Sequence, residues 1–152
     1  MRLLPLAAAA AALVALSGCA RSVSLPPAED AADPGCASVI VSLPEELGDA
    51  SLPQPLDRRE TTAQGTAAYG DPSAVTLRCG MPEPAPSASR CIQVGAVDWL
   101  EVAQEDDVWT FVSYGRSPAA EVVIDTGVVS AVTALESLSS AVDRLERTGA
   151  CT

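Results

Sequence analysis

The positions of four cysteines constrain the fold of this chain more than any other feature. They are Cys36, Cys79, Cys91 and Cys151. A fifth cysteine, Cys19, follows a segment in which Arg2 precedes an apolar run over residues 3–16. Such a segment is typical of a secretory signal, and the run is shorter than the roughly 20 residues that span a bilayer. Because an exported domain oxidises its cysteines, the even number predicts two disulfides.

Four cysteines can pair in three ways. We favour Cys79–Cys91, which would close a short proline-rich loop, together with Cys36–Cys151, which would join the two ends of the domain. In the chain-entropy model each bridge stabilises the fold by about 3 to 5 kcal/mol. The alternative is a thiolate metal site, but the chain has no C-x-x-C pair to begin one. We therefore expect no metal and no other cofactor.

The residues Leu16-Ser17-Gly18-Cys19 resemble the lipobox of bacterial lipoproteins. The two small residues let a protease seat the backbone, and the thiol of Cys19 can attack a diacylglycerol donor. This predicts a signal peptide over 1–18 and a lipid anchor on Cys19, at the extracytoplasmic face of the cell membrane. A plain secretory signal is the alternative, but it would not need a cysteine directly after the small pair. Residues 19–35 are predicted as the lipidated cysteine and a flexible, proline-containing tether.

The composition argues against several function classes. The formal net charge of −11 opposes binding to nucleic acid and to anionic headgroups, so membrane attachment would depend on the lipid anchor. The chain contains no histidine, which removes the imidazole base of catalytic dyads and histidine-ligated zinc. We expect that the protein is not an enzyme. Its basic residues are all arginine, which is typical of a GC-rich genome such as that of an actinobacterium.

Residues 36–152 are predicted as a single domain of the α+β class. Short strands are expected over 74–78, 92–95, 97–103, 108–114 and 119–124, and residues 48–73 are expected to be mostly loop. The clearest hairpin joins 97–103 to 108–114, with an odd-sum register that places Trp99 and Phe111 on opposite faces. The segment from Cys36 to Leu47 fits a short helix, although Val39 to Val41 could also be a strand.

Apolar residues at three- and four-residue steps predict a long C-terminal helix. They are Val128, Val132, Leu135, Leu138, Val142 and Leu145. Asp125 or Thr126 would cap its start, and Asp143 and Arg147 would pair near its end. The expected architecture is an antiparallel sheet of about four strands, packed against this helix and a possible short N-terminal helix, with two disulfides.

Four charged residues lie within or beside the apolar strands. They are Arg78, Asp98, Arg116 and Glu121. They could line a polar ligand pocket, but we favour a structural role, with Asp98 paired to one of the two arginines to hold strands in register. The acidic group Glu101, Glu105, Asp106 and Asp107 could bind calcium, yet a solvated hairpin tip explains it without a metal.

Several segments together resemble the actinobacterial lipoproteins catalogued as domain of unknown function 3515. They are Pro34-Gly35-Cys36, 68–72, 75–80, Val97-Asp98-Trp99, 114–118 and Glu121-Val122. The resemblance implies a location in the envelope and supplies no active site. We expect a non-catalytic envelope lipoprotein that binds a partner protein or a cell-wall component. The alternative is a small solute-binding module or an enzyme that uses the four charged residues.

Overall fold

The computed structural model describes residues 22–86 and 88–151. The predicted signal peptide over 1–18 and the predicted lipidation site Cys19 lie outside the described residues. Within the described part of the chain, no helix is both long enough and apolar enough to cross a membrane.

The described residues form two helices and ten strands, and every strand pairing is antiparallel. The helices are α1 (Pro34–Ser42) and α2 (Ala131–Val142). The strands are β1 (Glu46–Leu47), β2 (Leu56–Arg59), β3 (Thr66–Tyr69), β4 (Val75–Met81), β5 (Cys91–Val94), β6 (Val97–Glu105), β7 (Val108–Tyr114), β8 (Arg116–Ser117), β9 (Ala119–Asp125) and β10 (Glu146–Arg147). Eight strands make one sheet in the order β1-β2-β3-β4-β9-β7-β6-β5, and β8 pairs separately with β10.

The prediction of an α+β domain with about four strands and a long C-terminal helix is therefore wrong. The fold is mostly β, with an eight-stranded main sheet and two short helices. Strands β1, β2 and β3 fall within or beside the stretch expected to be loop. They are only two to four residues long, which is too short for a period of two to stand out in the sequence.

One face of the main sheet packs against both helices, and this layer is the hydrophobic core. The largest fully buried side chains are Trp99, Tyr69, Phe111, Leu47, Leu77, Ile124, Leu135 and Leu138. They come from β1, β3, β4, β6, β7, β9 and α2, so the core ties the sheet together across its width.

Helix α2 is shorter than the apolar period of the sequence indicates. The hydroxyl of Ser130, and neither Asp125 nor Thr126, caps its first turn by accepting a hydrogen bond from a backbone amide at 3.1 Å. Val128 lies before the helix, and Val132 faces solvent, so both valines at the start of the predicted apolar stripe are about half exposed. The stripe therefore begins one turn too early in the prediction.

The β6–β7 hairpin contains a β-bulge that the sequence does not reveal. Next to the turn, Glu105 lies opposite Val108, as the odd-sum register predicts. The register then shifts at Val102, where one extra residue is inserted into β6. Because a one-residue shift reverses the face of every later side chain, Trp99 and Phe111 share the helix-covered face. Their prediction on opposite faces is wrong for this reason.

The two predicted disulfides are present, but the pairing that we favoured from the sequence is wrong. Cys36–Cys79 joins α1 to β4, and Cys91–Cys151 joins β5 to the C-terminal segment, with Cα–Cα distances of 5.4 and 6.5 Å. Strands β9, β7 and β6 lie between β4 and β5. Neighbouring strands are about 4.8 Å apart, so Cys79 and Cys91 are separated by about 19 Å of sheet although they are close in sequence.

The predicted flexible tether is held against the domain over its described part. Val23 forms a parallel bridge with Thr61, and the amide of Asp30 donates to the carbonyl of Gly80 at 2.9 Å. Gly80 has φ +104°, and a Cβ at this position would lie 2.4 Å from the backbone of the segment. Only glycine allows the backbone of the segment to approach this closely. The described part of the N-terminal segment therefore packs against the domain.

Candidate functional site

The four charged residues predicted as a polar cluster do not meet in one site. Arg78 on β4 lies directly opposite Glu121 on β9. The Nη2 and Nε atoms of Arg78 donate to the same carboxylate oxygen at 2.7 and 2.9 Å. The two side chains form a cross-strand ion pair. Because they lie directly opposite each other, the pair stabilises the register between two central strands.

The buried side chain of Arg116 binds the backbone at the C-terminal end of helix α2. Its guanidinium donates to the carbonyls of Asp143, Leu145 and Ala96 at 2.9 to 3.0 Å, and it pairs with the Asp143 carboxylate. An arginine at a helix C-terminus satisfies carbonyls that have no partner within the helix. The predicted Asp143–Arg147 pair is therefore replaced by a contact with a residue from a distant strand.

Asp98 pairs with neither arginine, so that prediction is wrong. Its Oδ2 accepts a hydrogen bond from the amide of Cys151 at 2.9 Å. Asp98 therefore holds the C-terminal segment next to the Cys91–Cys151 disulfide. Three separate contacts occupy the four charged side chains, and each holds one part of the backbone in place.

The acidic hairpin tip also gathers no ligand set. Glu105, Asp106 and Asp107 are exposed at the β6–β7 turn, whereas Glu101 lies further along β6 near Arg90. The described residues contain no group of three or more acidic or cysteine side chains that could hold a metal ion.

A concave surface that combines apolar and charged side chains lies elsewhere, between α1 and β2. This cavity of about 550 Å³ has one wall on α1 (Ala37, Ile40 and Val41), one on β2 (Arg58 and Arg59), and a third on the loop from Glu60 to Thr66. We call it the α1–β2 groove. Its volume lies within the range of about 300 to 1,000 Å³ that small-molecule sites occupy.

The apolar wall of the groove is exposed to solvent. Val41 is 81% exposed, more than any other large apolar residue in the described part of the chain. Helix α1 is short, and it buries Cys36 and Val39 against the sheet. The remaining apolar residues of the run from Val39 to Val41 cannot all face the core, because successive helical positions point in different directions. The helix therefore presents apolar surface to the groove.

The positive charges of the groove are more buried than its negative ones. The side chains of Arg58 and Arg59 are 22% and 16% exposed, whereas that of Glu45 at the rim is 90% exposed. Charges that are shielded from water act more strongly on a ligand than solvated ones. The inner surface of the groove therefore favours an anion, although the protein as a whole is acidic.

Three polar contacts hold the walls of the groove in place. Nη2 of Arg58 donates to the carbonyl of Ile40 in the last turn of α1 at 3.0 Å. The hydroxyl of Tyr69 donates to the carbonyl of Pro44 just beyond α1 at 2.9 Å. Burial raises the pKa of Tyr69 to about 12. In the loop wall, the hydroxyl of Thr61 donates to the carbonyl of Thr66 at 3.1 Å.

One wall of the groove is joined to a segment that lies close in sequence to the predicted lipid anchor. Thr61 lines the groove and also forms the bridge with Val23. Cys19 is four residues before Val23, and four residues span at most about 14 Å.

The comparison with protein families decides the classification. The family model described as protein of unknown function (DUF3515) matches residues 3–150. The chain belongs to this family. No curated protein and no solved structure matches the chain.

Sequence reasoning missed the groove because its charged wall lies in a stretch expected to be loop. Arg58 and Arg59 follow Leu56-Asp57, and the four residues show no alternation of apolar and polar side chains. The available signal was the apolar run from Val39 to Val41, since a short helix cannot bury three consecutive apolar residues on one face.

Proposed function

We propose that this protein is an exported lipoprotein of the actinobacterial cell envelope. A lipid on Cys19 anchors it to the outer face of the cell membrane, and it acts without catalysis by binding a ligand in the α1–β2 groove. The observation that carries the proposal is the bridge between Val23 and Thr61. This bridge connects a wall of the groove to a residue four positions from the predicted anchor.

The covalent structure supports export. All four cysteines other than Cys19 are engaged in disulfides, and such bonds persist in oxidising compartments outside the cytoplasm. The short apolar leader and the Leu16-Ser17-Gly18-Cys19 pattern add the route and the anchor. An acidic domain gains little from anionic headgroups, so the lipid would supply the membrane affinity, at about 0.8 kcal/mol per buried methylene.

The alternative function has less support than binding in the groove. An enzyme or solute-binding module built on Arg78, Asp98, Arg116 and Glu121 needs these side chains to converge. They instead engage three separate partners, and Arg116 is buried beneath the end of α2. The sequence also offers no histidine to act as a base. Binding without catalysis is the function that this geometry supports best.

Replacement of the predicted anchor tests the proposal. Wild-type protein from the membrane fraction should carry a diacylglycerol-modified Cys19 as its N-terminal residue, detected by mass spectrometry. Cys19→Ser should retain residues 1–18 and lose the lipid, whereas the matched control Ser17→Ala keeps a small residue before the cysteine and should be processed normally. A water-soluble, unmodified wild-type product would contradict the proposal.

A further inference from the structure

We infer that the α1–β2 groove takes a single-chain anionic amphiphile drawn from the adjacent membrane leaflet, with its acyl chain on α1 and its head group at Arg58. This inference deepens the proposed function and rests on it. The chemical class of the ligand follows from three features of the groove: its apolar wall, its half-buried arginine and its distance from the anchor.

The apolar wall fits an acyl chain. Val41, Ile40 and Ala37 lie on one side of the groove, and Val41 is 81% exposed. Each methylene that a ligand buries on this wall strengthens binding. A polar solute such as a sugar or an amino acid would leave Val41 in water and gain nothing from this surface.

Arg58 supplies the contact for the head group. It uses Nη2 for the carbonyl of Ile40, and its Nη1 forms a long ion pair of 4.0 Å with the exposed carboxylate of Glu45, which is beyond hydrogen-bond distance. A guanidinium presents five N–H donors in a planar fork that matches a carboxylate or phosphate. Arg59 has its own partners, because its Nη1 contacts Asp71 at 3.0 Å and the carbonyl of Gly70 at 3.1 Å. Arg58 is therefore the cation that the groove offers to an anion.

The position of the groove identifies the source of the amphiphile. If Cys19 carries a lipid, Val23 lies within about 14 Å of a residue that is fixed at the bilayer surface. The Val23–Thr61 bridge then keeps the loop wall of the groove on the same side of the molecule. Acyl chains are the apolar ligand with the highest local concentration at that surface. A single-chain amphiphile that leaves this leaflet would therefore have only a short aqueous path to the groove.

Photoaffinity labelling of the full-length protein tests the inference. The lipidated protein, held in phosphatidylcholine vesicles, is irradiated with a diazirine-bearing fatty acid, and the labelled residues are mapped by mass spectrometry. We expect labelling within α1 and the loop from Glu60 to Thr66 that laurate suppresses and dodecyltrimethylammonium does not. Equal suppression by the two competitors would overturn the assignment of an anion.

Two sets of variants separate the contact with the acyl chain from the contact with the head group. Val41→Asn should reduce labelling about fivefold, and Val132→Asn, an exposed valine on α2, should not change it. Arg58→Gln should reduce labelling about tenfold, Arg58→Lys should restore part of it, and Arg90→Gln, which removes an exposed arginine on another part of the surface, should leave it unchanged. Equal labelling of Val41→Asn and Val132→Asn would contradict the inference, provided that both variants melt at the wild-type temperature.

Failure of this inference is distinguishable from failure of the proposed function. If no labelling occurs in the groove but Val41→Asn still fails to complement a deletion strain, the groove binds a protein partner, and the amphiphile assignment is wrong. If labelling is absent and Val41→Asn complements fully, the groove has no binding role. The amphiphile assignment and the groove-binding part of the proposed function are then both wrong.

Discussion

The two halves of the main sheet are held together in different ways. Strands β4, β9, β7 and β6 are seven to nine residues long, and their apolar side chains form most of the buried layer under the helices. Strands β1, β2 and β3 are two to four residues long. Arg58 on β2 and Tyr69 on β3 fix their position relative to α1, and the Cys36–Cys79 disulfide ties α1 to the long strand β4.

This difference locates stability and binding in separate parts of the molecule. The long strands bury apolar surface in proportion to their length, and this supplies most of the driving force for folding. The short strands contribute less burial and instead shape the α1–β2 groove through a few polar contacts. Segments with few buried contacts open at lower free energy, so we expect the groove half to exchange its amide hydrogens first.

The largest expected effect comes from removal of one disulfide at a time. The two bridges close loops of similar length, with separations of 43 and 60 residues, and each contributes about 4 kcal/mol in the chain-entropy model. Cys36 and Cys79 are also fully buried, so Cys36→Ala with Cys79→Ala should lower the free energy of unfolding by more than Cys91→Ala with Cys151→Ala. Denaturant unfolding of the two double variants measures this. An equal loss would mean that the bridge between α1 and β4 contributes no more to stability than the bridge at the C-terminus.

The next effect comes from the buried arginine that binds the end of α2, outside the main sheet. Arg116→Ala removes the donor for three carbonyls and should lower the free energy of unfolding by about 3 kcal/mol. Arg78→Ala, which removes a half-buried cross-strand ion pair, should cost about 1 kcal/mol. Thermal and denaturant unfolding of both variants give the comparison. A larger loss in Arg78→Ala would contradict the role assigned to Arg116.

The half of the main sheet with the long strands is also the half whose strands the sequence predicted. Four of the predicted strands, 74–78, 97–103, 108–114 and 119–124, coincide with β4, β6, β7 and β9 to within a few residues. Alternation of apolar and polar side chains over seven residues carries enough information to identify a strand. The β-bulge at Val102 was not predicted, because one inserted residue does not change the composition of the strand.

The groove half could not be predicted because tertiary contacts determine it. Arg58 meets Ile40 across 18 positions of sequence, and Cys36 meets Cys79 across 43. The disulfide pairing depends on strand order, since β9, which comes late in the chain, is inserted next to β4. Gly80 is a similar case, because its need for positive φ follows from the docking of the N-terminal segment.

A smaller effect should separate the hydroxyl of Tyr69 from its ring. Tyr69→Phe removes the hydrogen bond to Pro44 and should lower the free energy of unfolding by about 1 kcal/mol at neutral pH. The pKa of Tyr69 is raised from 10.0 to about 12, so folding favours the neutral phenol. The stabilisation is complete below pH 10 and is lost as the pH rises through about 12.

The pH dependence gives the control for this variant. The difference in stability between the wild type and Tyr69→Phe should shrink as the pH rises from 10 to 12, measured by urea unfolding at each pH. A constant difference over that range would show that Tyr69 titrates normally and is not held as a buried phenol.

The claim that function resides in the groove half is tested most directly by complementation with two matched valine variants. Val41→Asn and Val132→Asn each replace an exposed valine on a helix, so each should change the free energy of unfolding by less than about 0.5 kcal/mol. Both are expressed in a deletion strain with membrane levels verified by immunoblot. We predict that Val132→Asn restores the wild-type phenotype and that Val41→Asn, present in equal amount, does not. Full complementation by Val41→Asn would contradict the assignment of function to the α1–β2 groove.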